Sequence, residues 1–402
     1  MLRLGHCFAR KPALRFLSEQ LATKTTQNVT SNTLKTVPFI KHKAVGYWQG
    51  VIAGMCAGAV IIGGITRLTE SGLSMTDWHP TKSSWPANTA EWEIEFAKYK
   101  SFPEYKQVHP DIDLEGFKFI FFWEWFHRWW GRSIGLVYAV PYVGFMASGH
   151  LKAAGLRGSA TALLGVLGCQ GAYGWYMVKS GLDQAHLESR ADSKIARVSQ
   201  YRLAGHLSLA LILLSGTLRN SLKCLSEPSM LTNQKSSKEA LKNALKLARM
   251  APYMTIPLVA LSIVSGAFVA GLDAGMVYNN YPHMASDRII PSDAFVYEPL
   301  WRDLLENPTT VQMEHRIITH LTFLSLMSVC YTGFKGRKVL PRSVNFALGG
   351  VFAASWTQVI LGISTLVLHC PITLSAMHQS GGVVLLSSCW NLLHQIKRLP
   401  IK

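Results

Sequence analysis

Glu124-Trp125-Phe126-His127-Arg128 and Gln312-Met313-Glu314-His315-Arg316 are two versions of one segment, each leading into a long apolar run. Two further runs match each other around His206 and His378. The four histidines thus fall in the first turns of hydrophobic stretches, in two halves of the chain that read as copies. An imidazole at membrane depth is costly, and residues kept there are functional by default. Four of them at one depth, in two pairs, point to two metal centres.

Working outward, eight stretches have about the 20 residues that a helix needs to cross roughly 30 Å of hydrocarbon. They are 48–66, 127–148, 158–178, 201–222, 253–272, 315–334, 346–368 and 374–393. The fold class expected is all-α: a polytopic membrane protein with eight transmembrane helices in two pseudo-symmetric four-helix bundles. The repeat is parallel, because four spans separate its copies. Gly63 to Gly72 resembles Gly266 to Gly275, and Gln170-Gly171-Ala172-Tyr173-Gly174 matches Gln358-Val359-Ile360-Leu361-Gly362. Glycines at three- and four-residue spacing let helices, or a flat ligand, approach closely.

The chain has 402 residues, 49% of them hydrophobic, and a formal net charge of +17. Its basic residues sit in short loops between apolar runs and at the ends, so the charge orients the protein in a membrane and is no nucleic-acid patch. Eight spans with both termini on the basic side satisfy every loop. The alternate loops are longer and acidic, with Glu91, Glu93, Glu95, Glu104, Asp111, Asp113 and Glu115 in the first. Residues 1–40 are basic and hydroxyl-rich with a single acid, Glu19, as a mitochondrial presequence is. The basic side is then the matrix side of the inner membrane. The expected organisation is a presequence at 1–40, an N-terminal bundle at 45–222, a basic matrix linker at 223–252 and a C-terminal bundle at 253–394. The seven cysteines are scattered with no Cys-x-x-Cys and read as apolar packers.

Two neutral imidazoles on opposite sides of a flat macrocycle make a bis-histidine heme. His127 with His206, and His315 with His378, meet that requirement. Arg67, Arg128 and Arg316 are candidates to pair with heme propionates, since arginine meets carboxylates in a planar, bidentate fashion. His79 and His283 occupy similar repeat positions and are candidates to cap the two pockets. The halves differ three residues before the first ligand: Glu124 lies on the face of His127, whereas Gln312 cannot ionise. An acid beside one site only suggests that this site does chemistry while the other holds a redox cofactor. The carboxylate would either relay protons or stabilise a cationic intermediate; an ion pair with Arg128 or Arg132 is the structural alternative.

These motifs, with Gly63-Gly64-Ile65-Thr66-Arg67-Leu68-Thr69-Glu70-Ser71-Gly72-Leu73-Ser74, resemble the heme A synthase family, and its mitochondrial members in particular, from about residue 45 to 393. The resemblance implies oxidation of the C8 methyl of heme O to a formyl group, giving heme A for cytochrome c oxidase assembly. It implies His127 and His206 around the substrate heme O, His315 and His378 on a cofactor heme b, and Glu124 as the catalytic acid. It also implies a ferredoxin-type electron donor. Partnership with the farnesyltransferase that makes heme O, and a homo-oligomer, are further expectations. Some bacterial members carry a cysteine pair in the first acidic loop; here 67–124 has no cysteine. A di-heme electron-transfer cytochrome uses the same histidines but does not require the difference between Glu124 and Gln312, and a non-catalytic heme carrier finds no broken-helix pattern in these spans.

Overall fold

The computed structural model describes residues 42–75, 85–182, 198–226, 238–285 and 290–399. The presequence expected at 1–40, His79 and part of the basic linker lie outside them. The described residues are helical throughout, with no strand among them. In chain order they form α1 (Lys43–Leu68), α2 (Thr89–Lys100), α3 (Pro103–Gln107), α4 (Leu114–Ala147), α5 (His150–Ala153), α6 (Arg157–Leu182) and α7 (Gln200–Leu225). These are followed by α8 (Lys238–Met254), α9 (Ile256–Gly271), α10 (Leu300–Glu306), α11 (Pro308–Lys335), α12 (Arg342–Val367) and α13 (Ile372–Lys397). Seven of the eight apolar runs lie in one long helix each, and the run at 253–272 is divided at Thr255. Five helical stretches among the described residues are long and apolar enough to cross a membrane: α1, α7, α11, α12 and the stretch from Glu239 to Gly271.

Two helix boundaries differ from the sequence expectation. α4 begins at Leu114, well before His127, because Asp113 caps it by accepting a hydrogen bond from Gly116 N at 2.8 Å. Glu115, Lys118 and Glu124 break the apolar pattern there, so the helix runs on where the hydropathy does not. His127 is consequently several turns inside its helix, while His206, His315 and His378 lie in the second or third turn of theirs. The second difference is at Thr255, which separates α8 from α9; Pro257 lacks the N–H that a continuous helix would use. Within the expected linker, α8 is amphipathic and buries Ala240, Ala244, Leu247 and Ala251.

α1 packs on α4 and α7, and α6 packs on α7; in the second half α9 packs on α11, and α12 on both α11 and α13. Between the halves α7 meets α9 and α13 meets α1. Helices 1, 7, 9 and 13 thus form the centre. Their core is aliphatic, tied by polar contacts across helices such as Trp48 Nε1 to Val137 O at 2.9 Å and Asn220 Nδ2 to Gln49 Oε1 at 3.1 Å. α2, α3 and the first turns of α4 make a separate cap around Met75, Trp92, Phe96, Tyr99, Phe117 and Phe121. The repeat is visible in the backbone: Glu70 and Asp273, at matching positions, both end their helices at positive φ, 50° and 52°.

Candidate functional site: four histidines on four glycines

Each histidine ring lies against one glycine of a neighbouring helix. A methyl group added at Gly63 would come 2.8 Å from Cε1 of His127, and one at Gly174 3.2 Å from Cε1 of His206. In the second half, Gly266 stands 3.3 Å from His315 and Gly362 3.0 Å from His378 by the same measure. Gly63 matches Gly266 in the repeat, and Gly174 matches Gly362. A side chain at Gly63 would force the His127 ring to shift, and at the other three the ring would have to give by a few tenths of an ångström. His127 and His206 lie within electrostatic range of each other, as do His315 and His378. Each half thus keeps its two histidines within that range. All four side chains are half-buried.

The ring nitrogens differ between sites. His315 Nδ1 lies 2.7 Å from Ser265 Oγ, whose own proton is given to Ser262 O at 2.9 Å. With that proton on Ser262 O, Ser265 accepts from His315 Nδ1, and Nε2 keeps its lone pair for a metal. The buried Nδ1 atoms of His127, His206 and His378 have no hydrogen-bond partner. Gln170 Nε2 lies 3.2 Å from His206 Nε2 and can donate to it. No cluster of three or more His, Cys, Asp or Glu suited to a bare metal ion occurs among the described residues. Paired imidazoles suit a metal whose other ligands come with a macrocycle. The glycine seats and unpartnered nitrogens fit such a group.

Glu124 is buried and fully engaged. Its Oε2 accepts from Ser74 Oγ and Met75 N, each at 2.7 Å, and its Oε1 from Arg128 at 2.5 Å. Arg128 also donates to Met75 O at 3.0 Å. Of the expected partners, Arg128 is therefore the one that pairs with Glu124. The second half repeats this clasp with an amide. Gln312 Nε2 donates to Ala274 O and Tyr278 O, both at 2.9 Å, while Oε1 accepts from Arg316 at 3.3 Å. Arg316 also holds Asn280 O and Tyr278 O. Arg67 reaches the other half, pairing with Asp273 at 2.7 Å.

His283 is exposed and lines a shallow cavity of about 370 Å³ with Asn280, Tyr281 and Val367. His320 stacks on Tyr281 and accepts from its hydroxyl at 3.0 Å. Sequence reasoning missed Ser74, Met75, Ser265 and Gln170. Gln170 stands within a stretch the repeat had already singled out, Ser74 ends the motif that carries the family resemblance, and Ser265 directly precedes a repeat glycine; Met75 acts through its backbone and leaves no side-chain signal.

Fold and site together define a membrane-type helical protein with a duplicated histidine seat and one ionisable clasp. The chain belongs to the cytochrome oxidase assembly protein family, whose family model matches residues 46–390. It is 46% identical over 362 residues to the heme A synthase of Homo sapiens, covering 89% of this chain and 84% of that one. It is 40% identical over 377 residues to the heme A synthase of Saccharomyces cerevisiae, covering 89% and 76%. A heme A synthase–mitochondrial ferredoxin fusion protein of Schizosaccharomyces pombe is 35% identical over 376 residues, covering 89% of this chain and 60% of the fusion.

Proposed function

We propose that this protein is a heme A synthase of the mitochondrial inner membrane. It oxidises a methyl group of heme O to a formyl group, and the product serves cytochrome c oxidase. The observation that carries this reading is Glu124 standing where the duplicated clasp has Gln312, in a chain of this family. His127 and His206 would hold the substrate heme O, and His315 and His378 would hold a resident heme b. Eight helices span the membrane as two bundles, 45–222 and 253–394, behind a presequence at 1–40. Both termini face the matrix.

Bound heme b supplies one-electron redox chemistry. The chain's own residues do the rest. The glycine seats fix the depth and tilt of the imidazoles. The Ser265 hydrogen bond strengthens His315 as a ligand, which suits a permanent cofactor; Nδ1 of His127, His206 and His378 has no such support. Glu124, one turn before His127, moves protons at the oxidised carbon. Ser74 and Met75 hold its Oε2 in place for this. Arg128 neutralises Glu124, and a substrate propionate would draw on the same guanidinium. Arg316 stabilises the loop carbonyls over the second site, and Arg67 joins the halves. The fusion protein of Schizosaccharomyces pombe supports a ferredoxin-type electron donor.

The test is heme extraction and chromatography from a heterologous membrane that makes heme O but no heme A, supplied with a ferredoxin system. Heme A or its hydroxymethyl precursor, dependent on this chain, is the expected result. Heme O unchanged beside bound heme b would instead identify an electron-transfer protein.

A further inference from the structure

Between the halves, α13 packs on α1, and α7 packs on α9 in the matching place. The repeat pairs His378 with His206 and Gly63 with Gly266. Gln379 therefore stands where the first half has Leu207, and Gly64 where the second half has Ala267. The two seams are closed by different chemistry. In the α13–α1 seam, Gln379 Nε2 donates to Val60 O at 2.6 Å. A methyl group added at Gly64 would fall inside the same carboxamide, so the missing side chain is what admits the amide. In the α7–α9 seam, Leu207 and Ile263, the counterpart of Val60, both pack on the aliphatic core, and Ala267 is buried. Small residue with amide on one side, and alanine with leucine on the other, are two matched solutions to one helix crossing.

Closing the seam does not require an amide, because its twin is closed by leucine. Val60 O is already the carbonyl that Gly64 N–H meets in a regular helix, so Gln379 uses the second lone pair of an engaged acceptor. A single polar side chain in an apolar helix seam fixes register, at a cost in stability. Register matters at this place. Gln379 directly follows His378 in the chain, and Val60 lies one turn before Gly63, on which the His127 ring is seated. One hydrogen bond thus joins the residue beside a histidine of the second half to the turn that seats a histidine of the first. The Arg67–Asp273 pair also crosses between the halves, but it stands at the helix ends with Asp273 exposed. The Gln379 tie ends on a residue that is 5% exposed.

We propose that Gln379 is a positioning residue that locks the depth of His378 against that of His127, so that the hemes of the two halves keep one spacing and one tilt. It acts through the two histidines, and Gly64 is the residue that makes room for it. This rests on the proposed assignment of a heme to each histidine pair.

The experiment compares full-length wild type, Gln379→Leu, Gly64→Ala and the double variant carrying both changes, all from heme O-producing membranes. The double variant copies the Leu207 and Ala267 of the other seam, so it restores packing without the tie. Electron paramagnetic resonance of the oxidised proteins gives a readout besides activity: the heme b g-values report imidazole orientation, and the dipolar coupling between the hemes reports their spacing. In all three variants heme b content should match wild type while the g-values and the coupling change. Heme A formation should fall about tenfold, since a misplacement of about 1 Å by a remote change can cost about 100-fold. The double variant should regain the thermal stability that the single variants lose, but neither the spectrum nor the rate. A double variant with wild-type spectrum and rate would reduce Gln379 to packing and overturn the proposal, as would an unchanged spectrum and rate in Gln379→Leu. If Gln379→Leu loses its heme b, Gly64→Ala carries the test, because it leaves the sequence of α13 intact. A wild type that holds heme b but makes no heme A overturns the enzymatic reading instead, while the heme b g-values still decide on Gln379.

Discussion

At Glu124 one carboxylate oxygen takes the Arg128 guanidinium, and the other takes a hydroxyl and a backbone N–H. At Gln312 the amide oxygen takes Arg316, but the amide nitrogen gives to two backbone carbonyls. The same helix position and the same i, i+4 arginine thus clasp a loop with opposite hydrogen-bond polarity. Neither residue can replace the other without leaving like groups face to face. The outer loops repeat the contrast. Asp303 accepts from Thr310, Asn307 and Tyr297 N, whereas Glu104 is buried with an oxygen unmet. Around the histidines the contrast runs the other way, with the anchoring hydrogen bond on His315 in the second half. The second half thus has one supported histidine and an outer acid with its oxygens met, while the first has an outer acid with an oxygen unmet.

The sharpest way to break this comparison is Glu124→Gln. It removes the acid and leaves an amide N–H facing a donor, either Arg128 or Met75 N. Heme A formation is expected to fall about 100-fold or more, the range for a lost proton-transfer group, while heme b remains bound. Chromatography of extracted hemes measures both; undiminished heme A would remove the acid from the mechanism. Ser265→Ala should act on the second half alone. Loss of a supporting hydrogen bond to a metal-bound histidine typically costs 10–100-fold in affinity, so heme b should dissociate about tenfold faster in a heme-transfer assay.

The two loops should also answer pH in opposite senses. Burial raises the Asp303 carboxyl, but hydrogen bonds from Thr310, Asn307 and the backbone outweigh this and hold it below its ordinary value. Its contribution is present above that ordinary value and is lost as pH falls through the depressed one. Glu104 is held well above its ordinary value, so its cap is stabilised at low pH and loses that contribution as pH rises toward the raised value. Proteolysis rates of the two loops across a pH series read this directly; parallel responses would contradict it. The smallest effect belongs to Arg67→Ala. Its partner Asp273 is 50% exposed, and such pairs contribute about 0–1 kcal/mol, so thermal stability should barely change.

Much of this was legible in the sequence, for identifiable reasons. The apolar runs gave the long helices because each had to bury or span, and the matching positions of the four histidines followed from the register of the repeat. The start of α4 was hidden because Glu115, Lys118 and Glu124 look like loop residues by hydropathy, although Asp113 is a good helix cap. The cap was hidden for a related reason. A segment with Glu91, Glu93, Glu95 and Glu104 reads as solvated, and nothing in its composition says that Glu104 turns inward among aromatics. The Glu124–Arg128 pair could be foreseen from i, i+4 spacing, but the loop groups that complete the clasp act from distant sequence.

The central claim is that the halves hold different hemes for different purposes. It is tested most directly by purifying His127→Ala and His315→Ala from heme O-producing membranes and counting each heme per chain. The account predicts that His127→Ala keeps heme b and loses heme O and heme A, whereas His315→Ala loses heme b. Equal loss of one heme type from both variants, or the reverse assignment, would contradict it.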